Sequence, residues 1–237
     1  MKILKQKITV MIIAVILMTT FLYSCSDSSV TPAPVDNFTL SSMGSVDSIG
    51  DSQNILILDT VKILIKDIKL NVANNNQDST NFKTGPFVVF LNLTSGVNQI
   101  SSAIIPAGEY DKVKFEIHKL NDNEALPDPE FADSNGRYSV IVKGRYLGNR
   151  FVYKSSKSAH QKLNFPFSIS VNSASRSNIT LLVKPYIWFL DNDVYLDPTN
   201  PANTNDIDNN IKDNFKNCLK AFEDDVLGGL RWREFQH

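Results

Sequence analysis

The central part of the chain alternates between hydrophobic and polar residues with a period of two. In the segment KVKFEIHKL at 112–120, Val113, Phe115 and Ile117 are apolar and the residues between them are charged. The segment LNFPFSISV at 163–171 alternates in the same way. This pattern is typical of strands with one buried face, and it predicts further strands at 87–93, 138–143, 151–154 and 179–184.

The segment VKILIKDIKLNVA at 61–73 changes the phase of its alternation in the middle. Its apolar positions are first Val61, Ile63 and Ile65, and then Ile68, Leu70 and Val72. A slip of one residue without a turn signal predicts a β-bulge near Lys66 or Asp67.

Short runs of turn-forming residues separate the predicted strands, at 74–76, 106–108, 134–136 and 147–149. Seven or eight short strands without helices between them favour an antiparallel β-sandwich, Ig-like or transthyretin-like, over residues 55–190. A domain of that length can bury a core without disulfide bonds.

The period changes to three or four residues near the C-terminus, after a predicted linker at 191–205 that is rich in Asp, Asn and Pro. The apolar positions there are Ile207, Ile211, Phe215, Leu219, Phe222 and Val226. They predict a C-terminal amphipathic helix over 206–227, capped by Asn205 or Asp206 and followed by a tail at 228–237. We expect the apolar stripe to dock on its own sandwich, with docking on a partner as the alternative.

The N-terminus combines three lysines, Lys2, Lys5 and Lys7, with an apolar run at 8–22 that ends before Ser24 and Cys25. This order is that of a signal peptide, and it predicts cleavage after residue 24. An uncleaved membrane anchor is the alternative, but the run is shorter than the roughly 20 residues that span a bilayer. The tetrapeptide LYSC at 22–25 resembles the lipobox of bacterial lipoproteins. The resemblance implies that fatty acyl chains such as palmitate are attached to Cys25 and hold the protein on a membrane.

Ser26 and Asp27 follow the predicted lipid attachment site. Ser at this position resembles lipoproteins sorted to an outer membrane, and Ser-Asp resembles surface-export signals of the Bacteroidota. Both resemblances imply a cell-envelope location. Because residues 25–54 are rich in Ser and Asp and include Pro32 and Pro34, we expect a disordered tether there.

Cleavage would remove three of the 24 basic residues and none of the 25 acidic ones, giving a net charge of 21 − 25 = −4. With this acidic excess and no basic cluster along the sequence, we expect no nucleic-acid partner.

The candidate chemistry is sparse. His118, His160 and His237 are not at metal-ligand spacing, and no nucleophile elbow, P-loop or dinucleotide fingerprint occurs. We therefore predict no catalytic residues, no metal, no cofactor and no enzymatic activity. Cys218 is predicted to be a half-buried structural thiol. Tyr186 is predicted to pack at the sandwich edge beside Trp188, with a sugar-stacking platform as the alternative.

The segment DNDVYLD at 191–197 begins like a calcium-binding loop. Leu196 and Ala202 stand where such a loop needs a glycine and a carboxylate. A solvated linker is therefore the prediction.

Three segments, LNLTSG at 91–96, IPAGEYDKVKFEI at 105–117 and LLVKPYI at 181–187, together resemble a bacterial lipoprotein family known only as a domain of unknown function. The resemblance implies a β-sandwich with a Pro-Ala-Gly-x-Tyr turn, and no activity. We expect a lipid-anchored binding or structural module with an envelope protein or a glycan as its partner. An adhesion or matrix component and a glycan-binding protein are the alternatives, and an enzyme is expected less.

Overall fold

The computed structural model describes residues 36–44, 55–73, 79–83, 85–93, 96–172 and 176–217. These residues form fourteen strands, three short 3-10 helices and one α-helix. The strands are β1 Phe38–Gly44, β2 Leu56–Val72, β3 Ser79–Lys83, β4 Phe87–Phe90, β5 Val97–Ala103, β6 Gly108–Ile117, β7 Ala132–Asp133, β8 Gly136–Arg137, β9 Val140–Tyr146, β10 Asn149–Ser155, β11 Ala159–Val171, β12 Ser177–Val183, β13 Leu190–Asp191 and β14 Val194–Tyr195. The helix is α1, Thr204–Asn217.

Two sheets supply the hydrophobic core. The smaller has the order β12-β1-β5, and the larger has seven strands in the order β10-β9-β2-β6-β11 with β3 and β4 also paired to β2. All ladders are antiparallel except β1 with β12. One core cluster joins Leu40 and Ile179 of the smaller sheet to Ile63 and Phe115 of the larger. The prediction of a mainly-β sandwich with a C-terminal helix is confirmed.

Strand β2 organises the larger sheet, because its first half pairs with β9 and its second half with β6. Between the halves, Ile65 is opposite Ile117 and Ile68 is opposite Phe115. Between these two pairs, β2 advances by three residues while β6 advances by two. The one extra residue on β2 is what defines a β-bulge. The bulge predicted at Lys66 or Asp67 is confirmed.

The predicted tether at 25–54 is wrong for Phe38–Gly44, which form the central strand of the smaller sheet. Phe38 and Leu40 are almost fully buried. Thr39, Ser41 and Ser42, which made this segment look disordered, are buried in the strand, and the Ser42 hydroxyl has no hydrogen-bond partner among the described residues. Thr39 and Ser41 both donate to the Asn178 side-chain oxygen, at 2.8 and 3.0 Å.

Strands β3 and β5 were not predicted either, because STNFK and VNQISSA contain few apolar residues. The structure does have turns at two of the positions predicted for them, 147–149 and 106–108. Leu147 and Gly148 adopt positive φ between β9 and β10, and the Tyr110 hydroxyl donates to the Pro106 carbonyl at 2.9 Å across the Pro-Ala-Gly turn.

The predicted linker at 191–205 is more ordered than expected. It contains the end of the β13–β14 hairpin and a 3-10 helix at Pro201–Asn203, where the Asn200 side chain accepts a hydrogen bond from the Ala202 amide. Helix α1 follows directly and begins at Thr204, two residues before the predicted start. The helix begins earlier than predicted because Asn200 caps a 3-10 turn that starts at Pro201 and continues into α1.

Helix α1 docks on its own chain through its first turns. Ile207 and Ile211 are buried in the sandwich core. The Asn210 side-chain amide donates to the carbonyls of Trp188 and Leu190, at 3.2 and 2.8 Å. The Phe215 side chain and residues 218–237, with Cys218 and His237, lie outside the described part. No helix within the described ranges has the length and apolar character to cross a bilayer.

A long connection, residues 118–139, links β6 to β9 and is called the outer loop here. It contains the small β7–β8 hairpin and the 3-10 helix Pro129–Phe131. Phe131 and Leu120 of the loop bury against Leu64 and Ile141 in a second hydrophobic cluster. Leu64 and Ile141 point away from the inter-sheet core, so the outer loop covers the outer face of the larger sheet along the first half of β2.

Candidate functional site

The described part of the chain does not bring the residues singled out in the sequence together in one site. Cys25, the predicted lipid attachment site, lies outside the described residues. His118 and His160 approach one carboxylate: the Glu116 Oε1 atom is 3.3 Å from His118 Nδ1 and 3.7 Å from His160 Nε2. Among the described residues, no three His, Cys, Asp or Glu side chains are grouped so as to hold a metal ion.

The acidic segment 191–197 uses its carboxylates locally. Asp191 accepts a hydrogen bond from the Asn192 side chain at 2.9 Å, and Asp197 accepts from the Thr199 amide and hydroxyl at 2.8 and 2.7 Å. Trp188 has no exposed surface. The alternative of a sugar-stacking platform at Trp188 is therefore wrong, because the ring packs in the core.

A cavity lies between the two sheets and is lined by Ile63, Phe115, Leu181 and the Ser42 side chain, among others. Its volume of about 10 Å³ is close to the minimum for one water molecule. This cavity is too small for an organic ligand.

Three lysines on adjacent strands stand side by side on the outer face of the larger sheet. Lys69 of β2 is paired in register with Lys114 of β6, and Lys114 is paired with Lys162 of β11. Paired residues of antiparallel strands point to the same face. Neighbouring strands are about 4.8 Å apart, so the three positions form a straight line across about 10 Å of sheet. We call Lys69, Lys114 and Lys162 the lysine row.

The three members of the lysine row differ in exposure and in their charge partners. Lys162 is exposed, Lys114 is half-buried, and the Lys69 side chain is 41% exposed. Asp67 lies 3.4 Å from the Lys69 ammonium. Within the part of the chain that the structure describes, Lys114 and Lys162 form no ion pair. Like charges directly opposite each other destabilise a sheet, by up to about 1 kcal/mol per pair, so the row opposes folding.

The residues beside the row are also polar. On one side, Lys112 stands between Asn71 and Asn164 in the same register, and Asn164 is exposed. On the other side, Glu116 is paired with His160. Asn71 and Lys112 are buried, so the exposed groups beside the row are the Asn164 amide and the His160 imidazole, with the Glu116 carboxylate close to His160. Amide and imidazole N–H groups can donate hydrogen bonds to anions.

The lysines at the other half of the larger sheet have acidic partners. The Lys62 ammonium lies 2.6 Å from Asp128 and 2.9 Å from Glu130, and the Lys143 ammonium lies 2.8 Å from Glu130. The Lys154 ammonium lies 2.7 Å from Asp133. All three acids belong to the outer loop, so this loop supplies the acidic partners of Lys62, Lys143 and Lys154.

These ion pairs change the pKa values of the groups involved. Burial disfavours the charged form of Lys62, but its hydrogen bonds to Asp128 and Glu130 outweigh that effect and raise its pKa. Hydrogen bonds from Lys154, from the Tyr138 hydroxyl and from a backbone amide lower the pKa of Asp133 to about 2. The pKa values of Asp128 and Glu130 are lowered chiefly by hydrogen bonds from lysine.

The outer loop should therefore loosen in acid. A carboxyl group whose pKa is lower in the folded state stabilises the fold above its unfolded pKa, near 4, and loses that contribution as pH falls through the folded pKa. We expect hydrogen exchange of the amides in 120–138 to accelerate between about pH 4 and pH 2, after correction for intrinsic rates. Asp133→Asn should weaken this pH dependence.

Asp193→Asn is the matched control, because Asp193 is an exposed carboxylate in the β13–β14 turn. It should leave the exchange profile of the outer loop unchanged. An identical pH dependence in the wild type and Asp133→Asn would show that the ion pair with Lys154 does not hold the loop.

No protein-family model, curated protein or solved structure matches the chain in the three comparisons made with known proteins. The resemblance to a lipoprotein family therefore stays a prediction. The lysine row is the feature that sequence reasoning missed, because its three members are separated along the chain and only the strand register brings them together.

Proposed function

We propose that the protein is a lipid-anchored module of the bacterial cell envelope, at the outer membrane or cell surface, which binds a partner through the outer face of its larger sheet. The observation that carries the proposal is the order of lysines, apolar run and Cys25 in the first 25 residues. A thiol at this position accepts acyl chains, and two or more chains give stable membrane binding where one gives only marginal binding.

The start of β1 at Phe38 adds a constraint on the anchored protein. Only residues 26–37 separate Cys25 from the first strand. Twelve extended residues reach about 40 Å at most. The sandwich would thus stay near the bilayer surface, where its exposed faces meet other envelope components.

The experiment is metabolic labelling with radioactive palmitate in a bacterial host. We expect the wild-type chain to incorporate label and to lose residues 1–24, whereas Cys25→Ser should remain unlabelled and uncleaved because it lacks the acceptor thiol. Cys218→Ser is the matched control, since it removes the other cysteine, and it should be labelled like the wild type. Label in Cys25→Ser would contradict lipid attachment at this residue.

A further inference from the structure

We propose that the lysine row binds an anionic polysaccharide that lies across the strands of the larger sheet. The inference rests on the proposed function, because it names the class of partner for the same face. It requires only the folded domain, however, and can fail or succeed whether or not Cys25 is acylated.

The charge arrangement supplies the first argument. The protein is net acidic, and it gives acidic partners to Lys62, Lys143 and Lys154 at the other half of the same face. At the lysine row, Lys114 and Lys162 stand opposite each other, and neither forms an ion pair with the described residues. A bound anion would reduce the repulsion between these two lysines. The charge of the row is therefore complementary to that of an anionic ligand.

The shape of the row supplies the second argument. The positions of Lys69, Lys114 and Lys162 lie on a line perpendicular to the strands, with the strand spacing as their repeat. A linear chain with repeated acidic groups can contact all three at once, whereas one small anion reaches only neighbouring members. Lysine is suited to this task, because its flexible stem places a point charge without demanding a fixed ligand geometry.

The surroundings of the row distinguish a polysaccharide from a membrane. Surfaces that insert into a bilayer carry apolar side chains beside their basic residues. The large apolar side chains that are exposed in the described part belong to other positions, namely Phe90, Val97, Ile104, Leu147, Val152 and Val194. None of these is on β2, β6 or β11.

The same comparison argues against single-stranded nucleic acid. Proteins that bind single strands stack bases on exposed aromatic rings. Among the described side chains, Phe90 is the exposed aromatic residue of that set, and it lies on β4 next to Lys62. The exposed neighbours of the row include the amide of Asn164 and the imidazole of His160, which can bond hydroxyl and acidic groups of a sugar chain. The carboxylates of Asp67 and Glu116 lie beside Lys69 and His160.

The test measures binding of the full chain, purified in a neutral detergent, to immobilised dextran sulfate and to polygalacturonate at low salt. Unmodified dextran is the uncharged control. We expect the wild type to bind both polyanions, less tightly as salt rises, and to ignore dextran. The double variant Lys114→Glu with Lys162→Glu should bind about tenfold more weakly, because two attractive contacts become repulsive. Lys114→Arg with Lys162→Arg should retain binding.

Two controls make the result decisive. Lys212→Glu with Lys184→Glu makes the same change of net charge at two lysines outside the row, and it should bind like the wild type. The thermal midpoint of the Lys114 and Lys162 charge-reversal variant should be no lower than that of the wild type, because a glutamate at position 114 would attract Lys69, while positions 114 and 162 would carry like charges as they do in the wild type.

Three outcomes would overturn the proposal. The first is no binding of the wild type to either polyanion, and the second is an equal loss in the control charge variant, which would reveal a net-charge effect. The third is binding to vesicles of phosphatidylglycerol with none to the polyanions, which would assign the row to lipid headgroups. Palmitate labelling at Cys25 is read independently, so its failure would not be mistaken for failure at the row.

Discussion

Gly144→Ala is expected to lower the free energy of unfolding by about 3 kcal/mol, the upper range for overpacking a core. A Cβ at Gly144 would stand 2.2 Å from the Ile57 carbonyl oxygen and 3.0 Å from the Phe151 ring. Gly144 lies in β9 between β2 and β10, opposite Leu58 and Phe151. The obstructing carbonyl is backbone in a central strand, so it cannot move away without disturbing the ladder.

The measurement is denaturant unfolding monitored by tryptophan fluorescence. Gly108→Ala is the matched control, because a Cβ there would meet only the Tyr110 ring at 4.0 Å, an ordinary contact distance. We expect a change within about 0.5 kcal/mol for that variant, as for substitutions that meet no obstruction. Equal unfolding midpoints for Gly144→Ala and the wild type would mean that β2 and β9 are farther apart than the structure places them.

The alternation of apolar residues predicted the larger sheet because each of its long strands has one face in the core and one face outside. The bulge in β2 was predictable for the same reason, since the inward positions change from Ile65 to Ile68 at one place. Strand β1 was missed because the physical signal is different there. Its Thr39, Ser41 and Ser42 are buried, and Thr39 and Ser41 are hydrogen-bonded to Asn178. Such a polar strand has the same composition as a disordered segment.

The outer loop shows a further limit of sequence reasoning. Residues 121–136 are rich in Asp, Asn and Pro, which predicts an irregular loop and gives no sign of where it lies. Its position depends on one buried ring, Phe131, and on ion pairs of Asp128 and Asp133 with lysines of distant strands. Such pairs depend on the tertiary arrangement and leave no periodic pattern in the chain.

The lysine row could not be predicted for a related reason. Along the sequence, Lys69, Lys114 and Lys162 each occupy the outward position of an alternating strand, where a solvated charge is ordinary. Their alignment is set by the register of β2 with β6 and of β6 with β11. A shift of one register step in either ladder would point a lysine into the core. The absence of a basic cluster in the sequence therefore did not exclude a basic line on the surface.

Ile207→Ala is expected to lower the free energy of unfolding of the whole domain by about 3 kcal/mol, within the range for buried Ile to Ala changes. Ile207 has no exposed surface and belongs to the sandwich core. The adjacent Asp208 carboxylate accepts a hydrogen bond from the Tyr153 hydroxyl at 2.9 Å. Burial, together with the Asp208 charge, raises the pKa of Tyr153 above its ordinary range, so the phenol remains a donor at all ordinary pH values.

The experiment separates docking on the same chain from docking on a partner. Asn209→Ala is the matched control, because Asn209 is exposed on the same turn of α1, and its replacement by a better helix former should leave stability unchanged or slightly higher. If α1 were displaced from the sandwich in solution, Ile207→Ala and Asn209→Ala would unfold at the same denaturant concentration. A single cooperative transition at lower denaturant for Ile207→Ala alone would show that the helix unfolds with the sheets, because its removal exposes Trp188 and Phe189.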